Sequence, residues 1–490
     1  MINNTESMIR LNFIFGLGFF LFFGTSVLSQ KLIEDLPDHA FYSVLVRDLK
    51  TGNDVVSLNV EKAMISASLM KLVTTATALE TLTPRFSFFT KFWIDGKVQN
   101  GTLHGNLIIE GGGDPALGSK YFLDQSPEAV LGDIEGFLKR AEINSIDGEI
   151  LIDESRFDSF RYPSKRLWED MGNYYGAPPS ALTWRDNSFE VSLKSPVTSG
   201  SVCEVVSVSP WVKDVSIRSF VKAASHRKDS AYIYGIPGLK EWQIRGSVPA
   251  GRNHFSIKGA LPDPGLTLAR EIREILEQEQ EINIAQTDDG KWRITAREIG
   301  VIKSHSLEEL IRLTNQKSIN LFADHLLLEL GLNRNDSFAS VWDKGLWEIE
   351  EFWKNRIDAG FLKIEDGSGL SPLNKMSSLF LVEMMEYQYN EGLYFEEFKN
   401  SLAQNGHTGT LKYMWRHSLL DGKIYGKSGS MNDVLGYAGY YFPDQENPLV
   451  FSIIINHHDM ETSDVRKIVE RYMSDLFLGQ ELDNALKNQF

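Results

Sequence analysis

The sequence predicts an α/β (α+β) domain, an antiparallel sheet flanked by helices, that a large and mostly β insertion splits into two parts. Three observations lead to this prediction. An apolar hairpin and a helix lie near the start of the chain, and helices followed by apolar strands close it. Between them, over 94–297, short alternating stretches are separated by Gly, Asp, Pro and Asn. The chain has 490 residues, which is more than one hydrophobic core usually serves.

The first residues have the shape of a signal peptide. Residues 1–10 are largely polar, residues 11–23 are mostly apolar, and small Ser29 offers a cleavage site before Gln30. We therefore expect residues 1–29 to be removed and the body to be exported to the periplasm. The alternative is a retained segment that associates the protein weakly with a membrane, although the apolar run is short for a span.

The first part of the split domain, 30–93, begins with a hairpin. Ala40 precedes the run FYSVLVRDL, a KTGN turn and the run DVVSLN, which reads as two strands joined by a turn. Residues 65–82 contain no Gly or Pro, and apolar residues recur there at helical spacing before Pro84. The pattern predicts a mostly buried helix with Ser68 in its first turn.

The insertion, 94–297, is predicted to form short strands in one or two subdomains. Typical stretches are TLHGNLIIEG, DGEILIDE, FEVSLKS and WQIRGSVPA.

The second part of the split domain, 298–479, begins with helices. Ser306-Leu-Glu-Glu forms a capping box before one helix, a second helix runs over 320–330, and Ser318 lies between them. The later runs KIYGKSG, LGYAGYYF and PLVFSIIIN predict antiparallel strands, and 465–478 predicts a closing helix. Residues 480–490 are expected to form a frayed C-terminal tail.

Charge and cysteine content exclude several classes of partner. Lys and Arg number 50 against 66 Asp and Glu, a net charge of −16, which leaves no basic field for nucleic acid. The single cysteine, Cys203, forms no internal disulfide. The histidines include no HExxH, and Gly111-Gly112-Gly113 is not followed by the Lys-Ser/Thr of a phosphate loop. We expect neither a metal nor another cofactor.

The chemistry is predicted to start at Ser68-Leu69-Met70-Lys71. A serine and a lysine three residues apart on a helix share one face, so the amine can take the proton of the hydroxyl. Ser219-Phe-Val-Lys222 and Ser225-His-Arg-Lys228 have the same spacing. Only Ser68 precedes an apolar helix, LVTTATAL, so we favour Ser68 as the nucleophile.

Two further motifs follow in the chain order of penicillin-recognising enzymes. Ser318-Ile319-Asn320 joins two predicted helices, and Lys427-Ser428-Gly429 leads into the late strands. Lys50-Thr51-Gly52 also matches the third motif, but it precedes the nucleophile and a turn explains it. Ser57-Leu-Asn59 and Ser430-Met-Asn432 are eliminated likewise by order and placement. An ordinary helix N-cap at Ser318 stays an open alternative.

With these motifs the sequence resembles the low-molecular-mass class C penicillin-binding proteins, the serine D-alanyl-D-alanine carboxypeptidase/endopeptidase family. The resemblance covers nearly the whole mature chain. It includes four further stretches, GGDPAL at 112–117, APPSAL at 177–182, DGSGLS at 366–371 and GHTGTL at 406–411. Two positions depart from the family pattern, because Ser428 replaces the usual Thr and Ile319 the common Asp. The resemblance implies a β-lactamase/transpeptidase-like domain with the large insertion between the first two motifs.

The resemblance also implies a mechanism. Ser68 would attack the carbonyl between two D-alanines, with Lys71 as the base once partial burial and neighbouring Lys427 lower its pKa. Ser318 would relay a proton to the leaving amine, and Asn320 would hold the substrate backbone. We expect both lysines to lie in a solvated cleft.

Substrate binding is assigned to a second set of residues. Lys427 and Ser428 would bind the terminal carboxylate, and the backbone N–H groups of Ser68 and Ser430 would form the oxyanion hole. In the insertion, Asp170 matches best the acid that related enzymes place near the free amine of the third stem residue. The predicted substrate-binding residues are thus Ser428, Gly429, Ser430 and Asp170.

These residues predict a penicillin-sensitive serine D,D-peptidase. Its partners would be peptidoglycan stem peptides, with β-lactam antibiotics as inhibitors. Two alternatives stay open, a non-catalytic cell-wall binding protein of the same fold and a β-lactamase or esterase that uses the same Ser-Lys pair.

Overall fold

The computed structural model describes residues 35–487, apart from 159, 161, 213–214, 277–281, 288–289, 336–338 and 445–446. The predicted signal peptide, 1–29, lies outside the described residues. None of the described helices is both long and apolar enough to cross a membrane.

The chain opens with a hairpin and a buried helix. Its elements are strands β1 (Phe41–Asp48), β2 (Asp54–Leu58) and β3 (Met64–Ile65) and helix α1 (Met70–Leu82), which the 3-10 turn Ala67–Leu69 precedes. Helix α1 is buried along most of its length, so its Thr and Ala residues face other helices rather than solvent.

The insertion then departs from the end of α1. Its strands are β4 (Phe89–Gln99), β5 (Thr102–Glu110), β6 (Ser145–Asp147), β7 (Glu149–Asp153), β8 (Ser188–Ser195), β9 (Glu204–Ser209), β10 (Ser216–Ser219), β11 (Lys222–Ala224), β12 (Ser230–Tyr234), β13 (Glu241–Pro249), β14 (Arg252–Ala260), β15 (Asn283–Thr287) and β16 (Arg297–Lys303). Its helices are α2 (Pro127–Arg140), α3 (Trp168–Met171) and α4 (Pro264–Ile275).

The remaining elements complete the split domain. The helices are α5 (Leu307–Lys317), α6 (Asn320–Gly331), α7 (Val341–Lys354), α8 (Ser378–Asn390), α9 (Phe395–Ser401) and α10 (Thr462–Lys487). The strands are β17 (Leu362–Lys363), β18 (Lys375–Met376), β19 (Ala403–Gln404), β20 (Ile424–Met431), β21 (Val434–Tyr441) and β22 (Leu449–Asn456).

A six-stranded antiparallel sheet forms the centre of the split domain, in the order β19-β20-β21-β22-β1-β2. Every residue of β21 and β22 is buried, because helices cover both faces of the sheet. Helix α10 packs on one face, and α1, α5, α6, α7 and α8 form the layer on the other. The antiparallel sheet flanked by helices is the predicted fold class.

The insertion contains two units. A mixed sheet, β15-β7-β5-β4-β16 with β6 beside β5, packs against α2 and α4. Residues 188–260 form a second unit with two small sheets and a core of their own. Strands β4 and β16 pair antiparallel, so the insertion begins at Phe89 and ends at Lys303, slightly outside the predicted 94 and 297.

The C-terminal end differs from the expected tail after Gly479. Helix α10 continues to Lys487, since the run ELDNALK contains good helix formers and no Pro.

Candidate active site

Ser68 lies in the 3-10 turn directly before α1, at the positive end of the helix dipole. The residue before it, Ala67, has a φ of 44°, a left-handed conformation that turns the chain sharply from β3 into the helix. The Ser68 side chain is half-buried, whereas Leu69 on the opposite side of the turn is fully buried. The serine hydroxyl is thus presented at the rim of a buried helix.

Lys71 lies one turn along α1 and is completely buried. Its Nζ is 3.0 Å from Ser68 Oγ and 2.6 Å from Asn320 Oδ1. It also donates to the backbone carbonyl of Ser368 at 2.5 Å. The three contacts aim the amine at the serine hydroxyl.

Burial lowers the pKa of Lys71 to about 7, because the charged amine loses its hydration. The carboxylates of Asp324 and Asp366 oppose this shift, and the guanidinium of Arg166 adds to it. The pKa of Lys427 also lies well below its ordinary value, first through burial and then through the charge of Lys71. At neutral pH a large fraction of Lys71 is therefore the free amine that a general base requires.

The expectation of a solvated cleft for the two lysines is wrong. Neither Lys71 nor Lys427 has an exposed surface, since β20 and the helix layer close over them. Only the tips of their partners, Ser68 and Ser318, reach partly exposed space.

Ser318 lies between α5 and α6 in a left-handed conformation, with φ 58° and ψ 44°. The residue at the N-cap position of α6 is Ile319, so capping does not explain Ser318. Its hydroxyl accepts a hydrogen bond from Lys427 Nζ at 2.9 Å. The middle position of the motif, where Ile319 replaces the usual acid, is thus the helix boundary itself.

Asn320 is the first residue of α6 and connects the site to the insertion. Its Oδ1 accepts from Lys71, and its Nδ2 donates to the Tyr175 carbonyl at 2.8 Å. The amide is oriented by these two partners, since the oxygen must face the lysine.

Strand β20 forms the other wall of the site. Lys427 donates to Ser318 and to the Ser428 carbonyl, and the Ser428 hydroxyl donates to Thr410 Oγ1 at 2.8 Å. Strand β19 covers β20 only opposite 425–426, so in the described part of the chain the edge at 428–430 is open. Ser430 is exposed on this edge.

Gly429 brings β20 against the nucleophile turn. A Cβ at Gly429 would lie 2.9 Å from the Ser66 carbonyl oxygen and 3.1 Å from Ser68 N. Only glycine allows this approach, which brings the backbone of the third motif beside the amide of the nucleophile.

Asp170 lies in the short helix α3 and is half-buried. Burial raises its pKa to about 6, the Tyr175 hydroxyl lowers it by donating to the carboxylate, and the charge of Glu169 raises it further. Because the Tyr175 carbonyl holds Asn320, the predicted specificity acid is connected to the site through a single residue.

The other candidates lie elsewhere. Ser219 ends β10 and Lys222 begins β11, far along the chain in the second unit of the insertion. Lys228 forms an exposed ion pair with Glu461 at 3.0 Å. The Lys50–Gly52 match is the turn between β1 and β2.

Five residues near the site had not been assigned a role. Asp366 and Thr410 lie within the quoted DGSGLS and GHTGTL stretches, which was the available signal. Arg166, Tyr175 and Asp324 carried none, because only the folded chain brings them to the lysine. Among the described residues, no three His, Cys, Asp or Glu side chains are grouped so as to hold a metal ion.

Comparisons with known proteins agree with this geometry. The sequence model of the D-Ala-D-Ala carboxypeptidase 3 (S13) family matches residues 28–476. The D-alanyl-D-alanine carboxypeptidase DacB of Haemophilus influenzae is 23% identical over 481 residues, 95% of this chain and 96% of that protein. The D-alanyl-D-alanine carboxypeptidase of an Actinomadura species is 26% identical over 441 residues, 86% of this chain and 78% of that protein.

Solved structures show the same fold. The crystal structure of penicillin-binding protein 4 from Haemophilus influenzae has a TM-score of 0.76 at 22% identity and covers 93% of this chain and 99% of that chain. The same protein complexed with a novel β-lactam gives a TM-score of 0.71 at 22% identity, with the same coverage of 93% and 99%.

Proposed function

The chain belongs to the D-Ala-D-Ala carboxypeptidase 3 (S13) family, and we propose that it is a penicillin-sensitive serine D,D-peptidase acting through an acyl-enzyme on Ser68. One observation carries the assignment of the site. The amine of Lys71, whose pKa is lowered to about 7, lies 3.0 Å from the Ser68 hydroxyl. A buried lysine in this position is a base ready at neutral pH.

The first chemical step forms the acyl-enzyme. Ser68 Oγ attacks the carbonyl carbon between two D-alanines, and its proton passes to the free amine of Lys71. The oxyanion is stabilised by the backbone N–H groups of Ser68 and Ser430, which the close approach at Gly429 supports. As the C–N bond breaks, Ser318 passes a proton to the leaving amine, and water later hydrolyses the ester.

The substrate lies along the open edge of β20, in the manner of an added strand. Its terminal carboxylate contacts the hydroxyls of Ser428 and Thr410, beside Lys427, while Asn320 holds the substrate backbone. A carboxylate fits this end of the cleft because two hydroxyl donors and an ammonium group converge there.

Asp170 reads the distal end of the substrate. A free amine on the third residue of the stem would pair with its carboxylate, and the positive charge would lower the pKa that burial raises to about 6. The neighbouring contact from Tyr175 to Asn320 supports this position beside the cleft.

The protein works in the periplasm on peptidoglycan stem peptides and is inhibited by β-lactams. The composition of residues 1–29, with a small residue at Ser29, supports export. Retention of the apolar segment would add a weak association with a membrane.

Two measurements test the function. Labelled penicillin should acylate the purified protein stoichiometrically on Ser68, as intact mass and peptide mapping would show, whereas an adduct on Ser219 or Ser225 would overturn the site. Muropeptides analysed by mass spectrometry before and after incubation should lose terminal D-alanine, cross-links or both. Penicillin binding without any change in muropeptides would favour a binding protein, and rapid loss of the penicilloyl group would favour a β-lactamase.

A further inference from the structure

The insertion places an arginine beneath the proposed base. Arg166 precedes α3, and its side chain is 1% exposed. Its Nη2 lies 2.6 Å from Asp324 Oδ2 and 3.4 Å from Asp366 Oδ2, and both carboxylates are fully buried. The same nitrogen is 3.3 Å from Ser368 Oγ. One guanidinium therefore connects three positions of the split domain.

Two of these positions belong to the elements that hold Lys71. Asp324 lies one turn after Asn320 on α6, so it shares a face with the residue whose Oδ1 accepts from the amine. Ser368 itself supplies the other acceptor, its backbone carbonyl. Arg166 thus contacts both partners that aim Lys71 at the serine.

Asp366 organises the loop that carries Ser368. Its carboxylate accepts hydrogen bonds from the backbone N–H groups of Gly369 and Ser371 at 2.7 and 2.8 Å and from Asn374 Nδ2 at 2.8 Å. Such a carboxylate is ionised in its role as acceptor, and a buried anion needs a compensating cation.

The charge balance gives the arginine its second effect. Four charged or titratable groups act on Lys71 in this buried region, namely Arg166, Asp324, Asp366 and Lys427. If Arg166 were absent, a neutral Lys71 would leave the two carboxylates without their cation. The amine would then hold its proton as the substitute counter-charge, and a protonated amine is no base.

We propose that Arg166 is a positioning residue through which the insertion keeps Lys71 both aimed at Ser68 and unprotonated. The inference rests on the proposed function, since it assumes that Lys71 is the base for Ser68. It makes the insertion a working part of the catalytic machinery and not only a substrate-reading appendage.

The pH dependence of acylation tests this role. The second-order rate constant for penicillin acylation would be measured from pH 5 to 9 by intact mass. In Arg166→Gln the acid limb should move upward by about one to three pH units, lowering the rate on the acid side by about tenfold per unit. Asp324→Asn should move the limb downward. The double variant Arg166→Gln/Asp324→Asn, which removes one charge of each sign, should return it to the wild-type position or slightly below.

The chain offers a matched control. Arg156 comes from the same segment of the insertion and pairs with Glu329 at the far end of the same helix, with Nη2–Oε distances of 2.6 and 2.7 Å. Arg156→Gln removes an arginine from an ion pair to α6 but leaves the surroundings of Lys71 intact, so its acid limb should coincide with the wild type. Arg166→Lys, which keeps the charge but loses the fork, should also keep the limb while lowering the rate.

The outcomes separate this inference from the proposed function. Failure of the wild-type protein to be acylated on Ser68 would remove the function itself. A wild-type protein that is acylated, with folded Arg166→Gln and double variants whose acid limbs coincide with it, would overturn the role of Arg166 alone. If Arg166→Gln does not fold, the shift in Asp324→Asn and the limb of the double variant decide.

Discussion

The hydroxyl pair formed by Ser428 and Thr410 allows a sharp test of carboxylate recognition. The Ser428 hydroxyl donates to Thr410 Oγ1 at 2.8 Å. Each hydroxyl has one proton, so both can turn toward a bound carboxylate only by giving up their mutual bond. Ser428→Ala therefore removes one donor to an anion and leaves the other in place.

The magnitude follows from the charge of the acceptor. A hydrogen bond to a charged group contributes about 1.5 to 3 kcal/mol. At about 1.36 kcal/mol per tenfold in rate, its loss should lower kcat/KM for D-alanine release by about 10- to 150-fold. Ser428→Thr keeps the hydroxyl at a partly exposed position, so its effect should be mild.

The assay compares a peptide ending in D-Ala-D-Ala with one whose terminal carboxylate is amidated. Ser428→Ala should damage hydrolysis of the first and hardly alter the low rate on the second. A cycle with Thr410→Val should give non-additive losses, because the two hydroxyls share one ligand. Equal losses on both peptides, or equal kinetics for the Ala variant and the wild type, would show that the hydroxyl does not touch the carboxylate.

Three further predictions concern the lysines and the specificity acid. Lys71→Ala and Lys427→Ala should both abolish D-alanine release with an unchanged circular dichroism spectrum, since a buried ammonium charge itself opposes folding; wild-type release from either would show that the site is misassigned. In the wild type, penicillin acylation should rise through about pH 7 and fall about tenfold per unit below it, because the pKa of Lys71 is lowered to about 7 and only the neutral amine acts; a flat profile from pH 5 to 9 contradicts this. Asp170→Asn should lower kcat/KM for a stem peptide with a free side-chain amine but not for its acetylated form, with penicillin acylation preserved; equal loss on both peptides would remove Asp170 from the site.

Local sequence patterns carried much of the fold. The capping box at Ser306 is present with both of its hydrogen bonds to Glu309, and the helix that follows Asn320 ends within a residue of the predicted position. These features depend on neighbours a few residues apart, which periodicity and capping rules describe well. Helix α7, by contrast, carries a mid-helix Gly345 that fits against the Leu327 carbonyl of α6, and only the packing reveals why it is there.

The site shows the same division between local and distant information. The three motifs were readable because each is a short string, but the charges that adjust the base are single residues in unremarked segments. Arg166 and Asp324 are separated by 158 positions and meet at 2.6 Å. Nothing in either neighbourhood of the sequence indicates a partner, since a buried ion pair depends on how the insertion docks and not on local propensity.

The glycines of two motifs have a common physical cause at the nucleophile. Gly369, with φ 78°, approaches the turn from one side, where a Cβ would lie 1.8 Å from the Ala67 carbonyl oxygen. Gly429 approaches from the other side, where a Cβ would lie 3.1 Å from the Ser68 amide nitrogen. The turn at Ala67, held at a φ of 44°, is thus enclosed between two backbones that no side chain separates. A left-handed alanine costs conformational energy and persists only where its surroundings allow no alternative, so the two glycines act by confining the turn that presents Ser68, and the strings DGSGLS and KSG are tied to the nucleophile by backbone contact before any substrate binds.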